Sequence, residues 1–159
     1  MRQRQSGLSV PLFALASTSS WGIGEFPDLA VFAKWAAEAG QSVLQILPIN
    51  EMPPVERSPY SAMSAMALDP IYIAMSQVVD FAGLGGELAM AAADLAALQA
   101  LRGSTRVPYV GVRSLKDRWL RRSFDRFVKL EISRGSPRAH RFEAFIAAES
   151  PWLEEYAVF

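Results

Sequence analysis

The segment DLAVFAKWAAEAGQSVLQILPIN, residues 28–50, joins an amphipathic helix to an apolar strand. Apolar side chains recur at helical spacing through 28–39, between Pro27 at the start and Gly40 at the end. The run at 43–49 is almost continuously apolar and bounded by Gly and Pro, as is typical of a parallel strand buried on both faces. A helix followed by such a strand predicts the α/β class. The helical stripe consists of Leu29, Phe32, Trp35, Ala36 and Ala39.

Length and composition limit the possible classes of protein. The chain has 159 residues, enough for one ordinary domain but fewer than the roughly 250 of a complete (β/α)8 barrel. Its 51% hydrophobic and 20% charged residues are typical of a globular protein. The lack of cysteine and the single histidine, His140, argue against disulfides and against a thiolate or histidine metal site.

The N-terminal segment bears on the cellular location. Arginines precede a short apolar run at 8–16, which superficially resembles a signal peptide, but Pro11 interrupts the run. Nothing approaches the roughly 18 consecutive apolar residues of a membrane span. We therefore expect a cytoplasmic protein that has no membrane partner.

Charge is balanced overall but divided along the chain. Residues 1–100 carry a net charge of −5 and residues 101–159 a net charge of +5. The basic residues of 112–132 alternate with apolar ones at helical spacing. This pattern predicts a long amphipathic helix with a solvated basic face rather than a nucleic-acid surface.

The region 50–70 carries four prolines and little periodicity. It predicts a long, ordered loop at the C-terminal end of the strand, which is where α/β proteins build their sites. Further along, the sequence predicts a short extended piece at 71–74 and a helix at 87–102 that ends at Gly103.

Two Ser-Pro pairs near the C-terminus, at 136–137 and 150–151, each predict the start of a helix. The apolar pattern of the second helix is still running at Phe159, without a capping glycine. We therefore expect the sequence to be the front piece of a longer fold.

Three motifs occur together: WGIGEF at 21–26, AEAGQSVLQILPIN at 37–50 and SPYS at 58–61. In combination they resemble the opening of the amylomaltases, the 4-alpha-glucanotransferases of glycoside hydrolase family 77 in the alpha-amylase clan. The resemblance covers essentially the whole chain, most strongly 7–81 and more weakly 105–159.

The resemblance implies an α/β fold, namely the N-terminal part of a (β/α)8 TIM barrel that is incomplete in this chain. Residues 1–81 would start the catalytic barrel with its first strand and active-site loop. Residues 82–159 would form a mostly helical insertion, truncated at its C-terminus.

The resemblance also implies an activity. Amylomaltases transfer a segment of an alpha-1,4-glucan to the 4-hydroxyl of an acceptor glucan or glucose, through a covalent, retaining mechanism. The partners would be maltooligosaccharides from starch or glycogen, and no metal or organic cofactor is implied. Because the family's catalytic carboxylates lie on later strands, no catalytic residue is expected here. A stand-alone, non-catalytic module that binds glucan or protein is the alternative.

Ser58 and Tyr60 are the predicted substrate-binding residues. Pro59 fixes the backbone beside them, which suits a phenol ring held as a platform for a sugar. The resemblance implies that both residues contact glucan, while composition alone leaves open a tyrosine buried under a proline-rich turn. Glu51 and Glu56 could be proposed as acid and base, but their proline-rich setting favours solvated loop charges.

Two short segments depart from the family pattern or admit a second interpretation. Leu68 and Asp69 replace the family's usual glycine and asparagine, and Asp69 can still cap a turn beside Pro70. The glycines of Trp21–Gly24 lack the preceding strand and third glycine of a phosphate-binding loop. They predict a tight turn that leads into the helix at 28–39, and the resemblance implies an architectural role for it.

Overall fold

The computed structural model describes residues 4–54, 56 and 58–158, and its elements are arranged in the order β-α-β followed by helices. The strands are β1 (Gly7–Val10) and β2 (Val43–Ile46). The helices are α1 (Phe26–Glu38), α2 (Val79–Gly83), α3 (Ala92–Arg102), α4 (Tyr109–Leu130) and α5 (Pro137–Val158). Short 3-10 turns cover Leu12–Ala14, Pro70–Tyr72, Met75–Gln77, Gly86–Ala89 and Ile132–Arg134. No described helix is both long and apolar enough to cross a membrane.

Strands β1 and β2 form a parallel sheet in which Gly7 lies opposite Val43. A Cβ atom on Gly7 would lie 2.5 Å from the carbonyl oxygen of Val43, so the close pairing requires glycine there. The predicted parallel strand is confirmed, but β1 is an element that the sequence did not suggest, because its apolar residues belong to the leader-like run at 8–16.

The prediction that 43–49 is buried on both faces is wrong for the described structure. Residues of β2 alternate between exposed and half-buried, and Val43 is 46% exposed. A two-stranded sheet with one crossover helix offers cover to only part of each strand. The continuous apolar run therefore leaves much of its surface accessible to solvent.

Helix α1 follows its prediction closely in length. It begins at Phe26 with Pro27 in its first turn, and Asp28 accepts the backbone N–H of Glu25 at 2.7 Å. Beyond its end, Gly40 has a φ of +79°. The predicted apolar stripe is only partly covered, because Ala36 is buried whereas Trp35 is 55% exposed.

The hydrophobic core lies between the Trp21–Gly24 turn, the chain from Pro70 to α2, and helices α3 and α4. Its centre is a row of three aromatic rings in which Phe81 packs edge-on against Trp21 and Trp119, with centroids 5.6 and 5.4 Å apart. The core thus joins residues from both the first and the last part of the chain.

Two of the smaller predicted elements differ from the structure. Residues 71–74 are not a simple extended piece, because Asp69 and Pro70 start a 3-10 turn there. Helix α3 begins at Ala92 rather than 87, since Gly85 and Gly86 have positive φ and start a separate 3-10 turn. Leu88, which lies in this turn, is 99% exposed.

The last helix starts as predicted but continues further. The Ser136 hydroxyl accepts the backbone N–H groups of Arg138 and Ala139, both at 3.2 Å, as a cap does. Pro151 does not start a new helix. Helix α5 instead continues through it to Val158, although proline has no N–H group and one backbone hydrogen bond of the helix is lost. Side-chain contacts beyond the proline favour this continuation, and the predicted role of Phe159 lies outside the described residues.

The prediction of a solvated basic face is wrong for much of the basic half. Six ion pairs in the described structure join a cation from 101–159 to a carboxylate from 1–100, so the opposite net charges of the two halves meet in space. These pairs are Lys116–Glu25, Arg113–Asp69, Arg102–Glu87, Arg118–Asp94, Arg126–Asp80 and Arg138–Asp80.

Candidate functional site

The loop that follows β2 is closed by its own backbone. Asn50 pairs with Leu68 in an isolated antiparallel bridge, and the N–H of Asp69 donates to the carbonyl of Ile49 at 2.9 Å. Glu51 bonds the returning limb twice, since its N–H donates to the carbonyl of Ala67 at 3.0 Å and its carbonyl accepts from the N–H of Met63 at 2.8 Å. These hydrogen bonds confirm an ordered loop at the C-terminal end of β2.

The two predicted substrate-binding residues lie in one turn of this loop. The N–H of Ser61 donates to the carbonyl of Ser58 at 3.1 Å, and Ser58 is half-buried. The Tyr60 side chain is 73% exposed, so the interpretation of a tyrosine buried under the prolines is wrong. An exposed ring on an ordered turn can stack against a ligand. Glucan contact by Ser58 and Tyr60 stays a prediction.

Glu51 and Glu56 are held by hydrogen bonds and are not simply solvated. Glu56 is half-buried, and its carboxylate accepts the backbone N–H of Ser58 at 2.9 Å. The carboxylate of Glu51, also half-buried, accepts a hydrogen bond from the hydroxyl of Tyr156 on α5. Both carboxylates therefore shape the loop around the Ser58–Tyr60 turn.

Asp69 is the fully buried anchor at the far end of the loop. Its Oδ1 accepts the N–H of Ile71 at 3.0 Å, which confirms the predicted cap beside Pro70. Its Oδ2 forms an ion pair of 2.7 Å with Arg113 of α4. Burial alone would lower the pKa of Arg113, but the hydrogen bond and charge of Asp69 raise it. No motif or periodicity indicates this partner, which lies 44 residues away.

Lys116 is a second buried connection between α4 and the chain that leaves the loop. Its Nζ donates to the carbonyls of Ile71 and Ile73 at 2.6 and 2.8 Å and pairs with Glu25 at 2.6 Å. Burial lowers the pKa of Lys116 and raises that of Glu25, although each favours the charged form of the other. All three protons of the ammonium group thus have an acceptor.

The Trp21–Gly24 turn has the architectural role that was predicted for it. Gly22 has a φ of +77°, and a Cβ atom on Gly24 would lie 1.9 Å from the carbonyl oxygen of Leu12. Arg102, the last residue of α3, helps to fix the turn through Glu87, to which it donates two hydrogen bonds, at 2.7 and 2.8 Å. The N–H of the Trp21 indole donates to the same Glu87 at 3.1 Å.

A shallow groove of about 690 Å³ lies between the segment 14–19, which follows β1, and helix α1. Because β1 and β2 are parallel, this segment and the loop after β2 leave the same edge of the sheet. Ser17, Thr18 and Ser19 line the groove with hydroxyls. Among the described residues no group of three His, Asp or Glu side chains could hold a metal ion.

Known proteins of similar sequence and structure point in one direction. The protein family described as 4-alpha-glucanotransferase matches residues 10–159. A 4-alpha-glucanotransferase of Chlamydia caviae is 35% identical over 153 residues, which are 96% of this chain and 27% of that protein. The 4-alpha-glucanotransferase DPE2 of Oryza sativa subsp. japonica is 29% identical over 162 residues, covering 98% of this chain and 16% of the relative.

A solved structure agrees with the sequence comparisons. The crystal structure of amylomaltase from Corynebacterium glutamicum superimposes with a TM-score of 0.67 and 28% identity, over 91% of this chain and 20% of that one. The chain thus spans about a quarter or less of the length of these relatives. The resemblance in the sequence motifs is confirmed, and this chain belongs to the 4-alpha-glucanotransferase family.

Proposed function

We propose that this chain takes part in 4-alpha-glucanotransfer, in which a segment of an alpha-1,4-glucan passes to the 4-hydroxyl of an acceptor glucan or glucose. Family membership across residues 10–159 is the observation that carries the proposal. The relatives named above all bear the enzyme's name, so the non-catalytic module gains no support. The substrates would be maltooligosaccharides, and the location cytoplasmic.

In this proposal residues 1–81 are the opening of a (β/α)8 barrel and residues 82–159 a helical insertion. The parallel β1-α1-β2 unit and the likeness to an amylomaltase support the first part. The division is one of sequence rather than of packing, because α4 shares the core with Trp21 and Tyr72. The insertion would therefore serve as the support on which the first barrel elements rest.

Ser58 and Tyr60 are proposed to contact the glucan. Retaining transfer needs a nucleophilic carboxylate and an acid/base carboxylate about 5 Å apart. In the loop, Glu51 and Glu56 are both engaged by hydrogen bonds that hold the loop together. We propose that this region binds and orients the sugar, and that the reacting carboxylates belong to the part of the relatives that this chain does not match.

Glucan binding by the 159-residue chain tests the proposal. The chain should be retarded in a native gel that contains glycogen, and Tyr60→Ala should abolish most of the retardation. Tyr60→Phe should keep most of it, because the ring remains as a platform. Phe145→Ala, which removes another exposed aromatic ring, should leave it unchanged. Equal retardation of Tyr60→Ala and the parent would exclude Tyr60 from the site.

A transfer assay tests the division of labour. We expect no glucose and no longer maltodextrins when the 159-residue chain is incubated with maltotriose, because the site lacks an available carboxylate pair. Disproportionation above the level of a heat-killed sample would show instead that this region holds the reacting groups.

A further inference from the structure

Glu51 is the residue at which three parts of the molecule meet. Its N–H and carbonyl join the outgoing limb of the loop to the returning limb, at Ala67 and Met63. Its side chain accepts a hydrogen bond from the hydroxyl of Tyr156, which lies 105 residues further along the chain. Met63 is only three residues from Tyr60, so a change at Glu51 is transmitted through a single backbone hydrogen bond to the turn that carries the exposed ring.

We propose that Tyr156 is a positioning residue: through Glu51 it sets the conformation of the turn that presents Ser58 and Tyr60 to glucan. Helix α5 thereby becomes part of the substrate site without touching the substrate. This proposal rests on the proposed function for its consequence in glucan binding, whereas the positioning itself can be measured without glucan.

The surroundings of Tyr156 fit a fixed support. Burial raises the pKa of its hydroxyl, as do the hydrogen bond and charge of Glu51, so the hydroxyl keeps its proton and remains the donor. The Trp152 ring packs against Tyr156 at 5.9 Å between centroids, and its indole N–H donates to Glu149 at 2.6 Å. The hydroxyl of Tyr156 and the indole N–H of Trp152 thus each have a hydrogen-bond partner, and these bonds hold the two rings in one orientation.

The other end of the loop is held more firmly, which makes Glu51 the adjustable end. Asp69 is fully buried in its ion pair with Arg113, and Lys116 binds the two carbonyls that follow. One end of the loop is fixed by buried charges, and the other by backbone hydrogen bonds and one side-chain contact, the neutral hydroxyl of Tyr156. The loop should therefore respond at the Glu51 end to the loss of the hydroxyl.

Amide hydrogen exchange in the complete 159-residue chain tests the positioning. Tyr156→Phe keeps the ring and removes only the hydroxyl, so exchange at the Met63 N–H should become about two- to tenfold faster, as expected for one lost hydrogen bond. Exchange at Val112 and Leu115 in α4 should stay unchanged. The control Ser136→Ala removes side-chain hydrogen bonds at the opposite end of the same helix, which do not involve the loop, and Met63 should not respond to it.

A double-mutant cycle shows whether Tyr156 acts through Glu51. Glycogen affinity should fall about two- to tenfold in Tyr156→Phe and in Glu51→Ala, and no further in the double variant. Unchanged Met63 exchange in Tyr156→Phe, or an equal increase in Ser136→Ala, would overturn the proposal. If the parent chain binds no glycogen, the proposed function fails, while the exchange data still decide the positioning.

Discussion

Strand β2 and helix α4 both have strong apolar patterns, yet they differ in how much of that pattern is buried. On α4, Val112, Leu115 and Trp119 lie in the core, whereas Val43 of β2 is almost half exposed. The pattern specifies the element, and its neighbours decide the burial. In the described part of the chain the helices enclose a core, while the sheet that carries the candidate site has two strands and open surface.

Ion pairs connect the basic residues of the helices to carboxylates earlier in the chain. The basic residues of α4 and α5 neutralise carboxylates of the first 100 residues, and Lys116 does so inside the core. Buried ion pairs lose much of their attraction to desolvation, but removal of one partner leaves an uncompensated charge. Helix α4 therefore depends on the carboxylates that it meets at Glu25, Asp69 and Asp80, and its stability reports on these contacts.

Lys116→Met removes the buried ion pair with Glu25, and we expect it to have the largest effect on stability. The change leaves the Glu25 carboxylate and two carbonyls buried without their donor, and we expect a loss of about 3–5 kcal/mol in the free energy of unfolding. Urea denaturation followed by circular dichroism measures it. Lys129→Met, on the exposed side of the same helix, is the control and should cost less than about 0.5 kcal/mol. Equal losses in both variants would contradict a special role for Lys116.

Tyr60 tests whether the exposed sheet region carries the function. The test uses a hybrid in which this chain replaces the matched fifth of the Corynebacterium glutamicum amylomaltase. In it, Tyr60→Ala should lower kcat/KM roughly thirty- to a thousandfold, which corresponds to a loss of about 2–4 kcal/mol in transition-state stabilisation. Tyr60→Phe should cost about 0.5–1.5 kcal/mol, since one hydrogen bond is lost. A folded Tyr60→Ala hybrid with unchanged kcat/KM would remove Tyr60 from the site.

Asp80 gives the contact between early and late residues a pH dependence. Hydrogen bonds from Arg138, and then from Arg126, hold the pKa of Asp80 below its usual 3.8. The carboxylate therefore stabilises the fold above pH 3.8, and this contribution is lost as the pH falls through the lower, folded-state pKa.

The corresponding variant is Asp80→Asn. At pH 6 its free energy of unfolding should be about 1.5–3 kcal/mol lower than that of the parent, and the difference should shrink as the solution is acidified below pH 4. Urea titrations at several pH values measure the gap. Asp125→Asn, an exposed site on α4, should leave the profile unchanged. A gap that is constant from pH 6 to pH 2 would exclude a role for the ionised Asp80.

The sequence predicts what is local. The bounds of α1 and of the long basic helix are correct to within about three residues, and the Asp69 and Ser136 caps follow from side chains that bond their own neighbourhood. Strand β1 is not predicted, because four residues inside a leader-like run carry too little periodicity. The continuation of α5 through Pro151 also depends on contacts elsewhere in the fold.

The candidate site divides in the same way. The Ser58–Tyr60 turn follows from its motif, since the proline acts on its immediate neighbours. The partners of Glu51 and Asp69 lie 105 and 44 residues away, and charge or periodicity cannot specify which distant group a carboxylate meets. Solvation is therefore the expected state of Glu51, which the fold uses as an anchor, and for Asp69 only the local cap is predicted.

The smallest effect is expected at Trp35, and Trp119 provides the contrast between the two regions. Trp35 of α1 is 55% exposed beside Val31, and Trp119 of α4 is buried in the row of aromatic rings. Trp35→Gln should change the free energy of unfolding by less than about 0.5 kcal/mol and reduce the fluorescence of a dye that binds exposed apolar surface. Trp119→Ala should instead cost about 3–5 kcal/mol. A loss above 2 kcal/mol in Trp35→Gln, measured by urea denaturation, would mean that the face of α1 is covered in solution and that the contrast between the two regions is smaller than the structure indicates.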